Sequence, residues 1–168
     1  MIPFRFAILL AFVPSLAAAE CEDGSEVLIS CSFNNGAKTA ETCLSGDVAT
    51  YRFGPSGGPA ELEMTRHVRD VDMQPWSGFG RWISEGFTFA NGEYRYHFRY
   101  AIDKLAEENW LEADLWVGRG ETRLAELICD PDSIKTSGYP LPIFDAKVTA
   151  GQLWDHEELI WRDGAQAN

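Results

Sequence analysis

The segment FTFANGEYRYHFRY, residues 87–100, constrains the fold of this chain more than any other stretch. Aromatic and polar residues alternate on both sides of Asn91-Gly92, which is typical of an antiparallel strand with one buried face. Asn-Gly between alternating residues is the strongest short-range hairpin signal, because a two-residue turn of this kind favours positive φ. We therefore expect two long paired strands, with Phe89 opposite Tyr94.

The same alternation sorts the side chains of the second strand into two faces. Phe98 and Tyr100 continue the aromatic face and are predicted to lie in the core. Arg95, His97 and Arg99 occupy the other face, which therefore meets solvent or a ligand. Since arginine can bind a carboxylate or phosphate through two parallel hydrogen bonds, this face is a candidate site for a small anionic ligand. The alternative is an ordinary solvated face whose arginines balance acidic residues on neighbouring strands.

Strand signals recur at short spacing along the rest of the chain: EVLISCSF, TAETCLS, DVATYRF, AELEMTRHV, EADLWV and TRLAELIC. Regular short strands separated by turn residues predict an all-β fold, a single antiparallel β-sandwich or barrel of about eight strands. The segment LWDHEELIW divides by face as an amphipathic helix does, so we expect a short C-terminal helix there. Residues 20–162 form one predicted domain, and residues 163–168 a frayed tail.

All four cysteines lie outside the first nineteen residues: Cys21, Cys31, Cys43 and Cys129. An even number of cysteines in an exported chain predicts two disulfides, for which three pairings exist. The turn NNGAK can place Phe33 opposite Glu41. Cys31 then falls opposite Cys43, at a separation that suits a disulfide. We therefore expect Cys31–Cys43 and, by elimination, Cys21–Cys129.

Residues 1–19, MIPFRFAILLAFVPSLAAA, have the three parts of a secretory signal. Arg5 provides the positive charge, an apolar run follows, and the small residues at 17–19 match a cleavage site. The apolar run is too short to span a bilayer of roughly 30 Å as a helix. We therefore expect a periplasmic or secreted protein that begins near Glu20 and does not insert into a membrane after the signal is removed.

The charge balance limits the possible partners. The sequence has 14 basic and 26 acidic residues, and loss of Arg5 with the signal leaves 13 against 26, a net charge of −13. Such a chain repels nucleic acids and anionic membrane surfaces, and attracts basic proteins or cationic ligands over long distances. The simpler explanation is that the acidity only keeps an exported protein soluble.

The sequence lacks the common patterns of metal sites and of nucleophilic catalysis. The three histidines lie far apart without H-x-x-x-H or H-E-x-x-H spacing, and there is no G-x-S-x-G. The cysteines are all expected to be bridged. We therefore predict no metal, no cofactor and no catalytic residue. A chain with 26 acidic residues contains close carboxylate pairs by chance, and glycoside hydrolases use such a pair, so a hydrolase is kept as an alternative.

The longest irregular stretch between strands is RDVDMQPWSGFGR, residues 69–81. It presents Trp76, Phe79 and Arg81, and Trp82 follows directly. Long loops often carry function, and exposed aromatic side chains often dominate binding energy. We therefore include these four residues in the predicted binding site. The alternative is that the aromatic residues close the mouth of a barrel.

Several of these segments together resemble a known group. An SC…C hairpin is followed by YRFG, residues 51–54, then by ELEM, FANGEYRY and ELIC. This order resembles a loose group of small exported bacterial β-proteins with no assigned activity, over residues 26–129. The resemblance implies the β fold and contributes no catalytic residue.

A second likeness concerns architecture alone. A small disulfide-bonded β-domain in the periplasm is similar to the periplasmic lysozyme inhibitors, whose loop has an S-G-x-x-Y pattern. Here SGFG, residues 77–80, and SGYP, residues 137–140, match that loop only in part. A shared fold does not by itself transfer function.

Together these features favour an exported, non-catalytic binding protein. Its most specific form is an inhibitor of a basic cell-wall hydrolase, because a strongly acidic chain would be steered toward a cationic envelope enzyme. The alternatives are a small anionic-ligand binder that uses Arg95, His97 and Arg99, an unrecognised hydrolase, and a structural role in the envelope.

Overall fold

The computed structural model describes residues 21–107 and 110–164. The predicted signal, residues 1–19, lies outside these ranges, as do residues 165–168 of the predicted tail. Within the described residues, no helix combines the length and the apolar character needed to cross a membrane.

The described part of the chain contains twelve strands and one α-helix, and every strand pairing is antiparallel, which confirms the predicted all-β fold. The number of strands exceeds the predicted eight because several are only two to four residues long. The strands are β1 (Glu26–Phe33), β2 (Lys38–Ser45), β3 (Val48–Pro55), β4 (Leu62–His67), β5 (Asp72–Gln74), β6 (Trp82–Asn91), β7 (Tyr94–Asp103), β8 (Trp110–Arg119), β9 (Thr122–Ile128), β10 (Lys135–Thr136), β11 (Gln152–Asp155) and β12 (Ile160–Asp163); the helix α1 is Pro142–Thr149.

Two five-stranded sheets form a sandwich around one core. The first has the strand order β10-β1-β2-β3-β4 and the second β5-β6-β7-β8-β9, while β11 and β12 form a separate hairpin. Tyr51 of the first sheet packs against Phe89 and Phe98 of the second, with ring centroids 5.8 and 4.9 Å away. The inward faces of both sheets thus bury the aromatic side chains that alternate along the strands.

The β6–β7 hairpin confirms the predicted faces but not the predicted register. Phe89 lies opposite Tyr96, not Tyr94, because the turn is formed by Gly92 and Glu93. Gly92 has φ +59°, which glycine adopts at little cost. Since the shift is by two residues, each side chain keeps its face, and Phe98 lies in the core as predicted.

The β1–β2 hairpin has a different register from the predicted one. Phe33 lies opposite Lys38, whereas the sequence suggested Glu41. Asn34 and Asn35 both have φ +56°, so a four-residue turn at 34–37 closes the hairpin earlier than expected. A shift of three residues, being odd, exchanges the two faces of β2 relative to β1.

The predicted disulfide pairing is therefore wrong. The bonds are Cys21–Cys43 and Cys31–Cys129, each with a Cα–Cα distance of 5.7 Å. Cys31 and Cys129 lie in the core cluster, whereas Cys43 is on the outer side of the first sheet. Because Cys31 and Cys43 point to opposite sides, they cannot bond with each other, and each takes a partner on its own side.

The predicted short helix exists, but earlier in the chain. It occupies Pro142–Thr149, with proline at its start, where its missing N–H costs nothing. LWDHEELIW instead forms the β11–β12 hairpin. Asp155 Oδ1 accepts the backbone N–H groups of Glu157 and Glu158, at 2.9 and 3.0 Å, and this turn competes with a helix.

A buried lysine joins α1 to the sandwich. Lys147 Nζ donates to the backbone oxygens of Val68 and Val71, at 2.8 and 2.6 Å. It also lies 4.9 Å from the ring centroid of Trp161. Burial lowers the pKa of Lys147 to about 8, because removal from water disfavours the charged form.

This lysine predicts a pH dependence of stability. The pKa of Lys147 is about 8 when folded and 10.5 ordinarily, so between these values the unfolded chain binds more protons. The free energy of unfolding should therefore rise with pH over that window, by up to about 3 kcal/mol. Urea unfolding of the wild type and Lys147→Met at several pH values measures the difference, with Lys38→Met as the control. Parallel curves for wild type and Lys147→Met would contradict the expectation.

Candidate functional site

Five of the seven predicted binding residues meet in one cleft. This aromatic cleft lies between the loop 75–81 and the outer face of β6 and β7, and has a volume of about 300 Å³. Its lining includes Trp76, Phe79, Trp82, His97 and Arg99. The loop and the strand face, which were separate candidates in the sequence, thus line the same cleft.

The loop side of the cleft is held by Trp76. Its indole N–H donates to the backbone oxygen of Phe79 at 3.1 Å. Its ring meets Tyr139 edge-on, with centroids 5.5 Å apart, and Lys104 Nζ lies 4.6 Å from its centroid. Phe79, 76% exposed, therefore projects into solvent from a loop whose base is fixed.

Arg81, another predicted binding residue, fixes the end of this loop. Its Nε and Nη2 groups donate to the two carboxylate oxygens of Asp103, which lies on β7. This interaction holds the pKa of Asp103 below its usual value. The backbone oxygen of Arg81 also accepts the N–H of Lys104 at 3.2 Å. Arg81 is thus paired, although its guanidinium remains partly exposed.

His97 forms the floor of the cleft. Its Nδ1 lies 2.9 Å from the Thr88 hydroxyl oxygen, and its ring contacts Trp116 with centroids 5.0 Å apart. The ring covers Gly86, where a Cβ atom would come within 2.9 Å of it, so only glycine fits beneath. Burial lowers the pKa of His97, and the side chain is therefore predominantly neutral at pH 7.

The positive charge of the predicted Arg95/His97/Arg99 face is largely balanced. Arg99 Nε and Nη2 lie 2.8 and 2.6 Å from Asp114 Oδ2, and Glu112 is 3.9 Å away. Arg95 is exposed, does not line the cleft, and has no ion pair with another residue in the described ranges. The three cationic residues share a face as predicted, but they are not one concentrated positive site.

A buried carboxylate supports the cleft from the core side. Glu85 accepts the hydroxyl of Tyr100 at 2.9 Å and the backbone N–H of Leu141 at 2.7 Å. It also accepts the backbone N–H of Trp76. Burial raises the pKa of Glu85. The side chain thus ties the loop and the start of α1 to β6, which explains how an irregular segment holds its position.

Several residues at this cleft could not be recognised as candidates from the sequence. Gln74, Ser84 and Gly86 line the cleft, and Trp116 contacts His97. Trp116 follows Leu115, which is predicted to face the core, so the alternation predicts that Trp116 faces outward. The alternation does not predict which residue of the next strand Trp116 contacts. The contact with His97 depends on the β7–β8 register, which pairs the two residues directly.

A second cleft of about 570 Å³ lies on the outer side of the first sheet. Its lining is rich in hydroxyl groups and also includes Glu41 and Arg52. The buried Nε of Arg52 has no hydrogen-bond partner among the described residues. Unlike the aromatic cleft, this serine-lined cleft contains none of the predicted binding residues.

One group of side chains in the described ranges has the spacing of a metal site: Cys21, Glu41 and Cys43. Its two sulfur atoms are joined in a disulfide, so they provide no thiolate for a metal. At the aromatic cleft, His97 is hydrogen-bonded to Thr88, which lies beside the cleft and does not line it. The cleft combines aromatic surface with a few polar groups, His97 and the paired Arg99, an arrangement suited to binding.

Comparison with protein-family models, with curated proteins and with solved structures finds no match for this chain.

Proposed function

We propose that this protein is an exported, non-catalytic binding protein whose ligand occupies the aromatic cleft. The observation that carries the proposal is the convergence of Trp76, Phe79 and Trp82 with His97 and Arg99 around one cavity. Aromatic surface with a few oriented polar groups is typical of ligand sites. Two disulfides are typical of an oxidising compartment and support export, with the periplasm or the cell exterior as the location.

The side chains of the cleft are preorganised for binding. Trp76 is held by a hydrogen bond and two ring contacts, and Arg99 by Asp114, so little conformational freedom remains to be lost on binding. His97 stays neutral near pH 7 and donates or accepts according to its tautomer.

Filling the cleft should abolish binding. Ser84 lines it from the outer face of β6, and Ser84→Phe would place a ring in the cavity. Ligands are sought by titrating the protein with fractions of cell-envelope extract while recording the tryptophan indole N–H signals by NMR. A true ligand should shift the signals of Trp76 and Trp82 but not that of Trp154, and Ser84→Phe should weaken binding at least roughly tenfold.

Ala90→Phe is the matched control. Ala90 lies on the same strand and face as Ser84, but outside the cleft. It should bind as the wild type does. A ligand whose affinity is equal in both variants, or which shifts only tryptophans outside the cleft, would refute the assignment of this site.

An inhibitor of a basic cell-wall hydrolase is a second candidate. It is favoured by Phe79, which projects from a loop with a fixed base, and by the net charge of −13 after signal removal. Electrostatic steering would make association with a cationic enzyme faster at low salt. Phe79→Ala should then abolish inhibition, while a small-ligand protein would inhibit no hydrolase at all.

The small anionic-ligand alternative depends on Arg95, because Arg99 is paired with Asp114. Binding of phosphate or a carboxylate that is lost in Arg95→Ala would favour it. The hydrolase alternative depends on the Thr88–His97 contact, and would require turnover that both residues support.

A further inference from the structure

We propose that the ligand is an extended β-linked glycan of uncharged sugars, which lies across the strands from the aromatic cleft to Trp110. This inference rests on the proposed binding function and names its ligand class. The surface is here called the glycan platform, and comprises the aromatic cleft, the Arg81–Asp103 pair, Glu112 and Trp110.

The strand register places these residues in one row. Trp82 of β6 lies opposite Asp103 of β7, and Asp103 lies opposite Trp110 of β8. Directly opposed residues on neighbouring strands point to the same face, so all three belong to the outer face of the second sheet. Trp110 is 59% exposed, so much of its indole ring is accessible to a ligand.

The spacing of the two tryptophans fits sugar rings. Trp82 and Trp110 are two strands apart, which corresponds to about 10 Å between their backbones. That is close to the repeat of an extended disaccharide. The Arg81 guanidinium lies 5.8 Å from the centroid of the Trp82 ring, so a sugar ring can pack beside it on Trp82 while another packs on Trp110. A pyranose ring has an apolar face formed by C–H groups, and this face packs on aromatic side chains as other apolar surfaces do.

Polar groups lie in and beside the row that joins the two indoles: Asp103 is in the row, and Glu112 is opposite Ala101 in the next row on the same face. Arg81, held by Asp103 and 56% exposed, presents its remaining N–H groups to solvent. Glu112, 45% exposed, lies two residues from Trp110 on the same face of β8 and provides an acceptor. Such fixed donors and acceptors suit sugar hydroxyl groups, which both donate and accept.

The charge of the platform selects an uncharged ligand. Its arginines are paired, Arg81 with Asp103 and Arg99 with Asp114, and His97 is neutral near pH 7. Lys104 lies against the Trp76 ring at the edge of the cleft, but the arginines of the platform are paired and the chain as a whole is strongly acidic, so an acidic polysaccharide or nucleic acid would be repelled. A basic protein would be drawn toward the chain, but the platform offers few uncompensated carboxylates to receive it.

The test measures retention of the mature protein on chitin and cellulose, two uncharged β-linked glycans, with three variants alongside; peptidoglycan sacculi, whose peptide stems carry carboxylates, are the charged comparison. The wild type should be retained on chitin or cellulose more strongly than on sacculi, and Trp110→Ala should reduce that retention roughly tenfold. Tyr94→Ala removes another exposed aromatic residue outside the platform and should change nothing. Ser84→Phe should abolish retention. Which polymer binds identifies the glycan.

Chain length provides a second measurement. Affinity for soluble β-linked N-acetylglucosamine or glucose oligomers should rise at least roughly tenfold from dimer to hexamer in the wild type, and much less in Trp110→Ala. Retention on neither chitin nor cellulose, or retention that Trp110→Ala leaves unchanged, would overturn the glycan proposal.

The two proposals fail in different ways. If no glycan binds but another envelope component binds and is displaced by Ser84→Phe, the cleft remains the site and only the ligand class is wrong. If that component is a protein whose capture requires Trp110, the surface is a protein interface. If glycans bind and Ser84→Phe has no effect, the cleft is not the site.

Discussion

Replacing Cys31 and Cys129 together by alanine is expected to lower the free energy of unfolding by about 5 kcal/mol. The two cysteines are 98 residues apart, so their bond restricts most of the unfolded chain. In the chain-entropy description, a loop of that length contributes about 4.7 kcal/mol. Domains of this size are typically stable by about 5–15 kcal/mol, so the double variant should lose about a third or more of its stability.

Replacing Cys21 and Cys43 in the same way is the matched control. Their separation of 22 residues predicts a smaller loss of about 3.4 kcal/mol. Guanidinium unfolding of the two double variants measures both effects, and peptide mapping of the unreduced protein identifies the bonds independently. Equal losses in the two variants would show that loop length does not govern them. Peptides linking Cys31 to Cys43 would contradict the pairing itself.

Tyr51→Ala should lower the free energy of unfolding by about 3–5 kcal/mol, the usual cost of deleting a buried aromatic ring. Tyr51 is buried on β3, and its ring centroid lies 4.9–5.8 Å from those of Phe89, Tyr96 and Phe98. All three partners belong to the opposite sheet, so the ring joins the two halves of the sandwich. Its removal leaves a cavity that neither sheet can fill without moving.

Tyr51→Phe is the control because it keeps the ring and should cost much less. Urea unfolding of both variants measures the difference, and the hydrogen exchange of β3 and β7 shows whether the sheets separate. A loss below about 1 kcal/mol for Tyr51→Ala would mean that the interior repacks, contrary to the close packing expected of protein cores.

The faces of the strands were predictable because side-chain alternation is a local property. Phe98, Tyr100, Leu115 and Leu127 are directed to the core side as the sequence indicates, and Arg95, His97 and Arg99 to the outer side. An error of two residues in the β6–β7 register left this result unchanged.

Registers and long-range contacts were not predictable from local patterns. The partner of Phe33 is three residues earlier in the chain than expected. This shift places Cys31 and Cys43 on opposite sides of the sheet, so each forms its disulfide with a different cysteine than predicted. Likewise, LWDHEELIW has the spacing of an amphipathic helix, yet Asp155 caps a turn. Trp161 then donates its indole N–H to the backbone oxygen of Met73 at 2.6 Å, a contact far along the chain that favours the hairpin.

The candidate site was likewise predictable in its residue types but not in its assembly. Its residue types were visible in the sequence, since Trp76, Phe79 and Trp82 stand in an irregular loop and His97 and Arg99 on a polar strand face. That these two groups form one cleft follows from Arg81–Asp103 and Glu85, which hold the loop on the sheet. The neutral character of the site also depends on Asp114, a residue that β8 brings beside Arg99.

The sequence by itself determined the all-β class, the inward and outward faces of the long strands, and the presence of two disulfides. These depend on alternation, turn residues and cysteine number, which act over a few residues or over the whole composition. The tertiary structure alone decided the register of the first hairpin, the pairing of Cys31 with Cys129, the position of α1 and the assembly of the aromatic cleft. Each of these depends on contacts between segments far apart in the chain, whose free energies no local pattern contains.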